Sequence, residues 1–290
     1  MRMLGLDLAE RHAHARQVAE LLRLPLRRRA WRGLQGNWQG IGTGSSLDFQ
    51  DHRPYASGDD PRYINWQAFA RSGHYSMKLY RQEVSPALDL VVDVSSSMFV
   101  DQAKAARTAD LLYFCAESAL QTGASLRCHR LLGSSAEAVA LDELLAHTWR
   151  PSAMSAADPA ALGSVPWRHG SMRVLVSDLL WPGSGLPVCA LLGDASAFGI
   201  ILAPFSRGET EPDWAGNLEI EDCESAQRRS QRVDRDVVAR YRAAYAQHFE
   251  LWDEQAIRHR VLLARIPAEP ELAEALRQHA AEVGAVEWSR

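Results

Sequence analysis

The sequence contains no apolar run approaching the roughly 20 residues that a transmembrane helix needs, so we expect no membrane span. Lysine is almost absent, because Lys78 and Lys104 are the only two and arginine supplies nearly all of the positive charge. The net charge of -4 at pH 7 is small, whereas proteins that bind nucleic acid or an anionic membrane through their overall charge are basic. We therefore expect neither nucleic acid nor a membrane as a partner.

Cysteine is scarce as well, and the four cysteines form no Cys-x-x-Cys pair. They lie mostly in apolar runs, which is typical of buried free thiols in a reducing compartment. The N-terminal residues Met1 to Glu10 carry a short apolar stretch that Asp7 interrupts, and no small-residue cleavage site follows. We therefore expect no signal peptide and predict a cytoplasmic protein.

The sequence also lacks the short motifs of several enzyme classes. It contains no Gly-x-Ser-x-Gly nucleophile elbow and no Gly-x-x-x-x-Gly-Lys-Ser phosphate loop, so we do not expect it to hydrolyse ATP. The ten histidines are scattered, without the His-x-x-x-His spacing that places two metal ligands on one helix face. These absences favour a protein that is not an enzyme.

A buried strand is the clearest local feature that is present. Residues Leu88 to Val94 form a largely apolar run rich in β-branched residues, which is typical of a strand buried on both faces. This strand brings Asp93, Ser95 and Ser97 to the turn at its carboxyl end. One carboxylate and two hydroxyls on a tight turn can all point at one small cation.

A second apolar run, Met172 to Val176, is followed closely by Asp178. If the two strands are parallel neighbours, their carboxyl ends meet at the edge where open α/β sheets bind ligands. Magnesium prefers oxygen ligands and keeps some of its waters, so a few protein groups can hold it. The pattern predicts a site for Mg2+ or Mn2+. The alternative interpretation is that the serines from Ser95 to Ser97 only cap a helix, as serine commonly does.

From residue 85 onward, strand and helix patterns alternate along the chain. Such alternation predicts an α/β fold with a doubly wound, mostly parallel sheet and helices on both faces. Before it, we predict an amphipathic helix over Glu10–Trp31 and then a segment dense in charged, aromatic and turn residues, 42–78, which we call the clamp segment. We therefore divide the chain into 1–84, the helix and the clamp segment, and 85–290, the sheet domain with a C-terminal helix–strand–helix extension.

The Asp-x-Ser-x-Ser turn and the later strand-end aspartate together resemble the metal-ion-dependent adhesion site (MIDAS) of von Willebrand factor A domains. In that family the turn, a threonine from a second loop and an aspartate from a third loop hold the metal. An open coordination position then accepts a carboxylate from a partner. The resemblance implies Asp93, Ser95 and Ser97 as the first loop and Asp178 as the third.

The second loop departs from the adhesion-site pattern. Residues 151–159 contain no threonine. Ser155 or Ser152 would then substitute for it as a metal ligand. With this substitution, the resemblance implies that Mg2+ or Mn2+ is weakly bound.

The clamp segment closely resembles the sequence hallmark of the bacterial domain-of-unknown-function 58 (DUF58) family, which is related to von Willebrand A domains. The family pattern runs from Phe-x-x-x-Arg-x-Tyr through Gly-Asp-Asp-x-Arg-x-Ile-Asp-Trp to an Ala-Arg pair. Pro54 and Asn65 depart from it, because glutamate and aspartate are usual at these positions. The motif residues that we predict to be structural or partner-binding are Arg53, Tyr55, Gly58, Asp59, Asp60, Arg62, Asn65, Trp66 and Arg71.

Members of this family tend to be encoded beside MoxR-type AAA+ ATPases and are thought to act as their metal-dependent adaptors. The resemblance therefore implies a binding protein whose metal bridges to an acidic residue of the ATPase or of a client protein. Two alternatives remain open. One is a metal-independent scaffold with a decayed site, in which Ser95 and Ser97 only hydrogen-bond to Asp178 and nearby backbone. The other is a metal-dependent hydrolase that adds Asp59 and Asp60 as carboxylates.

Overall fold

The computed structural model describes residues 5–26, 47–56, 61–82, 86–148, 158–181, 183–194 and 197–289, and for residues 47–53, 63 and 78–82 it describes the backbone alone. The chain forms two compact units, one made of Met1–Gly33 with Pro86–Arg290 and the other of Leu34–Ser85. Among the helices of these described stretches, none is both long enough and apolar enough to cross a membrane.

Strands and helices alternate through most of the chain, as the sequence pattern predicts. Their order and bounds are α1 (Leu8–Leu21), β1 (Leu22–Arg23), β2 (Leu47–Pro54), α2 (Trp66–Ser72), β3 (Ser76–Gln82), β4 (Ala87–Asp93), α3 (Gln102–Thr122), β5 (Ser125–Leu132), β6 (Ser135–Val139), α4 (Leu141–Leu145), β7 (Met172–Val176), α5 (Leu186–Leu192), β8 (Phe198–Phe205), α6 (Arg207–Thr210), β9 (Gly216–Glu221), β10 (Arg228–Val233), α7 (Arg235–His259), β11 (Leu262–Pro267), α8 (Leu272–Ala275) and β12 (Glu287–Trp288). Short 3-10 turns lie at Pro61–Tyr63, Ser96–Phe99 and Pro159–Ser164, and a π-helical turn follows α8 over Leu276–Ala280.

A six-stranded sheet forms the centre of the larger unit, in the order β11-β8-β7-β4-β5-β6. The first five strands in this order are parallel, and β6 pairs with β5 in the antiparallel direction. β4 lies between β7 and β5, with Val91 opposite Leu175 on one side and His129 on the other. The predicted α/β fold with a mostly parallel sheet is confirmed. β4 and β7 end side by side at the edge formed by the carboxyl ends of the parallel strands, which we call the carboxyl edge.

The central strands are apolar on both sides because both faces of the sheet are covered. Along β7, Val174 and Val176 join the hydrophobic core on one face, and Leu175 joins the core on the other. Helices α1, α3 and α8 contribute to the first core, while α5 and α7 contribute to the second. Burial on both faces explains why β4 and β7 are largely apolar runs in the sequence.

Helix α1 belongs to the larger unit, which corrects the predicted grouping of this helix with the clamp segment. Its buried residues Ala15, Val18 and Ala19 lie in the same hydrophobic core as α3. α1 also ends at Leu21, before the predicted end at Trp31, because the following residues form β1 and pair with β12 in the antiparallel direction. Pairing with the far end of the chain leaves no trace in the local periodicity from which we predicted the helix.

The C-terminal part of the larger unit adds a hairpin and a long helix. β9 and β10 pair with each other in a two-stranded sheet of their own, so the polar–apolar alternation of Asn217–Glu221 belongs to one strand of a hairpin. α7 begins after Asp234, whose side chain accepts a hydrogen bond from Val237 N. The last helix of the predicted helix–strand–helix extension is the single turn α8, which is followed by a π-helical turn. The hairpin is thus held by its own strand pairing and not by the six-stranded sheet.

The smaller unit contains an antiparallel hairpin and one short helix in its described part. β2 pairs with β3, with an irregular register between Phe49 and Asp51. α2 begins after Asn65, whose Oδ1 accepts a hydrogen bond from Ala68 N at 3.1 Å, and it ends at Gly73, which has φ 69°. A polar N-cap and a glycine in the left-handed region therefore bound a helix inside the clamp segment.

Candidate functional site

The turn after β4 holds the predicted first-loop ligands. Asp93 is the last residue of β4 and is fully buried, and its Oδ1 accepts a hydrogen bond from Ser95 N at 2.9 Å. The hydroxyl oxygens of Ser95 and Ser97 lie 3.1 Å apart. Ser95 precedes the 3-10 turn without capping it through its side chain, and α3 is capped by Asp101. The alternative interpretation, in which the serines from Ser95 to Ser97 only cap a helix, is therefore wrong for α3, whose cap is Asp101.

The loop after β7 brings two more side chains to the carboxyl edge. Ser177 donates a hydrogen bond from its hydroxyl to Asp93 Oδ2 at 2.8 Å, and both residues are fully buried. Asp178 is also buried, and its Oδ1 accepts a hydrogen bond from Leu180 N at 3.1 Å. The next residue, Leu179, has φ 61°, in the left-handed region that leucine rarely adopts. Backbone strain of this kind is concentrated at functional sites, where the surrounding structure holds it in place.

Lys104 is a site residue that the sequence patterns did not identify. It lies on α3 with no exposed side-chain surface, and its Nζ donates to Asp178 Oδ2 at 2.7 Å. The same ammonium forms an ion pair with Glu209 on α6. The other Glu209 carboxylate oxygen accepts a hydrogen bond from Ser206 N at 2.8 Å, within a capping box. The one available signal for Lys104 is that lysine occurs only twice in this arginine-rich chain.

The charges of this buried cluster do not cancel. Lys104 bonds Asp178 and Glu209, and the Asp93 carboxyl group is left without a cationic partner among the described residues. Burial, and then the charge of Asp178, raise the pKa of Asp93 from 3.8 to about 7, against the effect of the hydrogen bonds that it accepts. Burial opposes the charged form of Lys104, but the two carboxylates outweigh it and raise the pKa of the amine. The site therefore favours the entry of a further positive charge, a proton or a cation, at Asp93.

The oxygen atoms at the end of β4 fit a small divalent cation. Magnesium binds oxygen ligands octahedrally at about 2.0–2.1 Å, so neighbouring ligand oxygens lie about 2.9 Å apart. The hydroxyl oxygens of Ser95 and Ser97, 3.1 Å apart, match this separation. Across the described residues, no group of three or more His, Cys, Asp or Glu side chains is arranged to hold a metal. A cation here therefore depends on serine hydroxyls and water as well as on Asp93.

A glutamate from the β9–β10 hairpin also reaches this turn. Glu224 Oε1 accepts a hydrogen bond from Ser97 N at 2.9 Å, although the two residues are 127 positions apart in the chain. Burial raises the pKa of the neighbouring Cys223. The charges of Glu224 and Asp222 raise it further, and the charge of Asp178 makes a smaller contribution in the same direction. The tip of the hairpin therefore lies close to the end of β7. The sequence offered no signal for Glu224, because its contact depends entirely on the fold.

Two groups of predicted site residues lie outside the described residues. They are the second-loop serines, Ser152 and Ser155, and the 58–60 turn of the family motif. The choice between the two serines stays a prediction, as does the hydrolase alternative that relies on the two aspartates of the turn. Arg53 lies in β2, where the backbone alone is described.

The remaining motif residues lie around α2 in the smaller unit. Asn65 is the buried N-cap of this helix, so the amide that replaces the usual aspartate still provides a cap. Trp66 is 56% exposed and contacts Phe69 and Tyr75 edge to face. The structural or partner-binding role of these side chains stays a prediction. The other exposed motif residues are Tyr55, Arg62 and Arg71.

Comparison with solved structures finds matches to two bacterial proteins. The conserved hypothetical protein BatB from Bacteroides thetaiotaomicron aligns with a TM-score of 0.40 and 12% identity, over 69% of this chain and 98% of its own. An aerotolerance-related membrane protein from Bacteroides fragilis NCTC 9343, with multiple mutations to serines, aligns with a TM-score of 0.32 and 14% identity. The alignment covers 59% of this chain and 100% of that protein. No curated protein matches the chain. Neither structural likeness bears on what this chain binds.

The match to a protein family is more extensive. The family model described as "Protein of unknown function DUF58" covers residues 51–251, which is more than two thirds of the 290 residues. The matched stretch includes most of the clamp-segment motif, the Asp93–Ser97 turn and Asp178. This chain belongs to the DUF58 family of proteins of unknown function.

Proposed function

We propose that this chain is a metal-dependent, MIDAS-type protein-binding adaptor. The observation that carries the proposal is that Ser95 and Ser97 lie beside the buried carboxyl group of Asp93. This carboxyl group lacks a cationic partner in the described part of the chain. These oxygens suit a weakly bound Mg2+ or Mn2+, which keeps waters and so has positions that another ligand can take. An acidic side chain of a partner supplies that ligand, because hard cations prefer anionic oxygen.

The other residues of the carboxyl edge support the three ligands. Ser177 holds the Asp93 carboxyl group in place through its hydrogen bond. Asp178 adds negative charge beside the site, and Lys104 limits that charge through the ion pair. Ser155 is our candidate for the second-loop ligand, in the position where the adhesion-site pattern has threonine.

The partner that we propose is a MoxR-type AAA+ ATPase, or an acidic residue of a client protein. Membership of the DUF58 family supports this choice through the resemblance set out above. We propose that the interaction takes place in the cytoplasm, since the cysteines are free and Cys115, Cys128 and Cys189 are buried thiols, as expected in a reducing compartment. We propose no nucleic-acid partner, since the net charge is -4.

A metal-independent scaffold is the second candidate function. Lys104 favours it, because its ammonium already bonds Asp178 inside the site. In this case a fixed amine takes the place of a bound cation, and the Ser95 hydroxyl serves only as a hydrogen-bonding group for Ser97 and Asp93. The two candidates differ in whether added metal has any effect on the protein.

Calorimetric titration with Mn2+ and Mg2+ separates the two candidates. We expect the wild type to bind, and Ser95→Ala/Ser97→Ala to lose about tenfold or more in affinity, because two ligand oxygens are removed while Asp93 remains. Ser96→Ala changes the serine between them and is the matched control, which should bind as the wild type does. A thermal melt checks that each variant is folded. A wild type that binds neither ion would favour the scaffold.

Binding to the purified MoxR-type ATPase is expected to require the metal. Surface-immobilised wild type should retain the ATPase in Mn2+ and release it in EDTA, since the cation is the bridge between the two proteins. Ser95→Ala/Ser97→Ala should fail to retain it, whereas Ser96→Ala should behave as the wild type. Retention that persists in EDTA and in the double variant would count against a metal-dependent adaptor.

A further inference from the structure

The tip of the β9–β10 hairpin is held in a defined shape beside the site. Asp222 Oδ1 accepts hydrogen bonds from Glu224 N at 2.9 Å and from Ser225 N at 2.8 Å. Ala226 has φ 55°, and its N–H donates to the Asp222 carbonyl at 2.8 Å. These bonds fix the backbone on both sides of Glu224, whose side chain contacts the turn after β4 at Ser97.

The two carboxylate oxygens of Glu224 are in different situations. Oε1 accepts the hydrogen bond from Ser97 N. Oε2 is shielded from solvent and has no hydrogen-bond partner among the described residues. A buried carboxylate oxygen without a partner is strongly unfavourable, because it has lost its water and gained nothing in return. A purely structural contact with the turn accounts for Oε1 and leaves Oε2 unexplained.

We infer that Glu224 is an internal ligand of the cation held at the Asp93–Ser97 turn. The inference rests on the proposed function. Oε1 stays on the Ser97 N–H, and Oε2 supplies the acidic oxygen that a partner protein would otherwise supply. The hairpin therefore satisfies the site within the chain itself, and the acidic side chain of a partner has to displace Glu224.

The hairpin is built in a way that permits this displacement. In the described part of the chain, β9 and β10 pair with each other and with no strand of the central sheet. Most side chains from Gly216 to Val233 are exposed, so little apolar surface holds the hairpin down. A lone two-stranded hairpin is marginally stable. Its docking on the site therefore depends strongly on the contact made by Glu224.

Mn2+ titration combined with hydrogen exchange of residues 216–233 tests the inference. The variant is Glu224→Gln, which removes the charge but keeps an oxygen that can accept from Ser97 N. The matched control is Glu219→Gln, the same change at an exposed position of β9. We expect Mn2+ to slow exchange in the hairpin of the wild type and of the control. In Glu224→Gln, the slowing should disappear and the Mn2+ affinity should fall about tenfold, because one anionic ligand is lost.

The outcomes separate this inference from the proposed function. One contradicting result would be equal Mn2+ affinity in the wild type and in Glu224→Gln, together with hydrogen exchange in the hairpin that does not change when Mn2+ is added. This result would overturn the role of Glu224 as an internal ligand but would not contradict the adhesion site. A wild type that binds no Mn2+ would overturn both. Loss of affinity in Glu219→Gln to the same extent would also overturn the inference, since a general charge effect would then explain the result.

Discussion

Lys104→Met is expected to lower the free energy of unfolding by about 3–5 kcal/mol. Methionine is similar in length to lysine but lacks the ammonium, which bonds Asp178 at 2.7 Å and pairs with Glu209. Asp178 is buried and Glu209 is largely buried. Without the ammonium, the two carboxylates must either remain charged without a partner or take up protons. Either change costs free energy. Urea denaturation of the metal-free protein measures the loss.

A double-mutant cycle with Asp178→Asn tests the pairing itself. We expect Lys104→Met/Asp178→Asn to lose less stability than the sum of the two single variants, because the second change removes a stranded carboxylate. Single losses that simply add would show that Lys104 does not act through Asp178. Added Mn2+ should restore part of the stability of Lys104→Met, since a cation can replace the missing charge. A metal-independent scaffold would gain nothing from the ion.

Asp93→Asn is expected to stabilise the metal-free protein by about 4 kcal/mol near pH 8. Burial and the charge of Asp178 raise the pKa of Asp93 from 3.8 to about 7 in the folded chain. Because the folded state binds this proton more tightly than the unfolded state, the stability that it contributes is full below pH 3.8 and is lost as the pH rises through about 7. Asparagine carries no charge at any of these pH values, so it avoids the loss. Thermal or urea denaturation at several pH values measures the difference.

The pH and the metal provide the controls for Asp93→Asn. Near pH 4 the carboxyl group is protonated in the folded wild type, so the variant and the wild type should have nearly equal stability. With saturating Mg2+ the order should reverse, because the wild type gains binding free energy and the variant does not. A variant that is less stable than the wild type near pH 8 without metal would contradict the raised pKa. An order that Mg2+ leaves unchanged would contradict the role of Asp93 as a ligand.

The sheet was predictable because its signals are local. β4 and β7 are buried on both faces, so their apolar runs stand out without any tertiary information. The Asp-x-Ser-x-Ser turn and Asp178 come directly after these runs. The general rule that parallel strands place their carboxyl ends at one edge then brings the turn and the aspartate together.

The partners of these residues were not predictable, because they come from distant parts of the chain. Lys104 lies on a helix that begins just after the turn, but its ion pairs join it to residues 74 and 105 positions away. Helical periodicity assigns such a lysine to a face of α3 and says nothing of what covers that face. Helix α1 was misplaced for the same reason, since its packing on α3 and the pairing of β1 with β12 are contacts between distant segments.

The sequence by itself determined the mostly parallel sheet, the membership of the DUF58 family, and the meeting of Asp93, Ser95, Ser97 and Asp178 at the carboxyl edge. These follow from short-range patterns and from the shared direction of neighbouring strands. Only the tertiary structure decided how charge is distributed at that edge. The buried Lys104 amine bonds Asp178, Asp93 has no cationic partner among the described residues, and the Glu224 carboxylate accepts a hydrogen bond from the turn. The electrostatics of a buried site depend on every group within a few ångströms, whatever its position in the chain, and those distances are set by the fold.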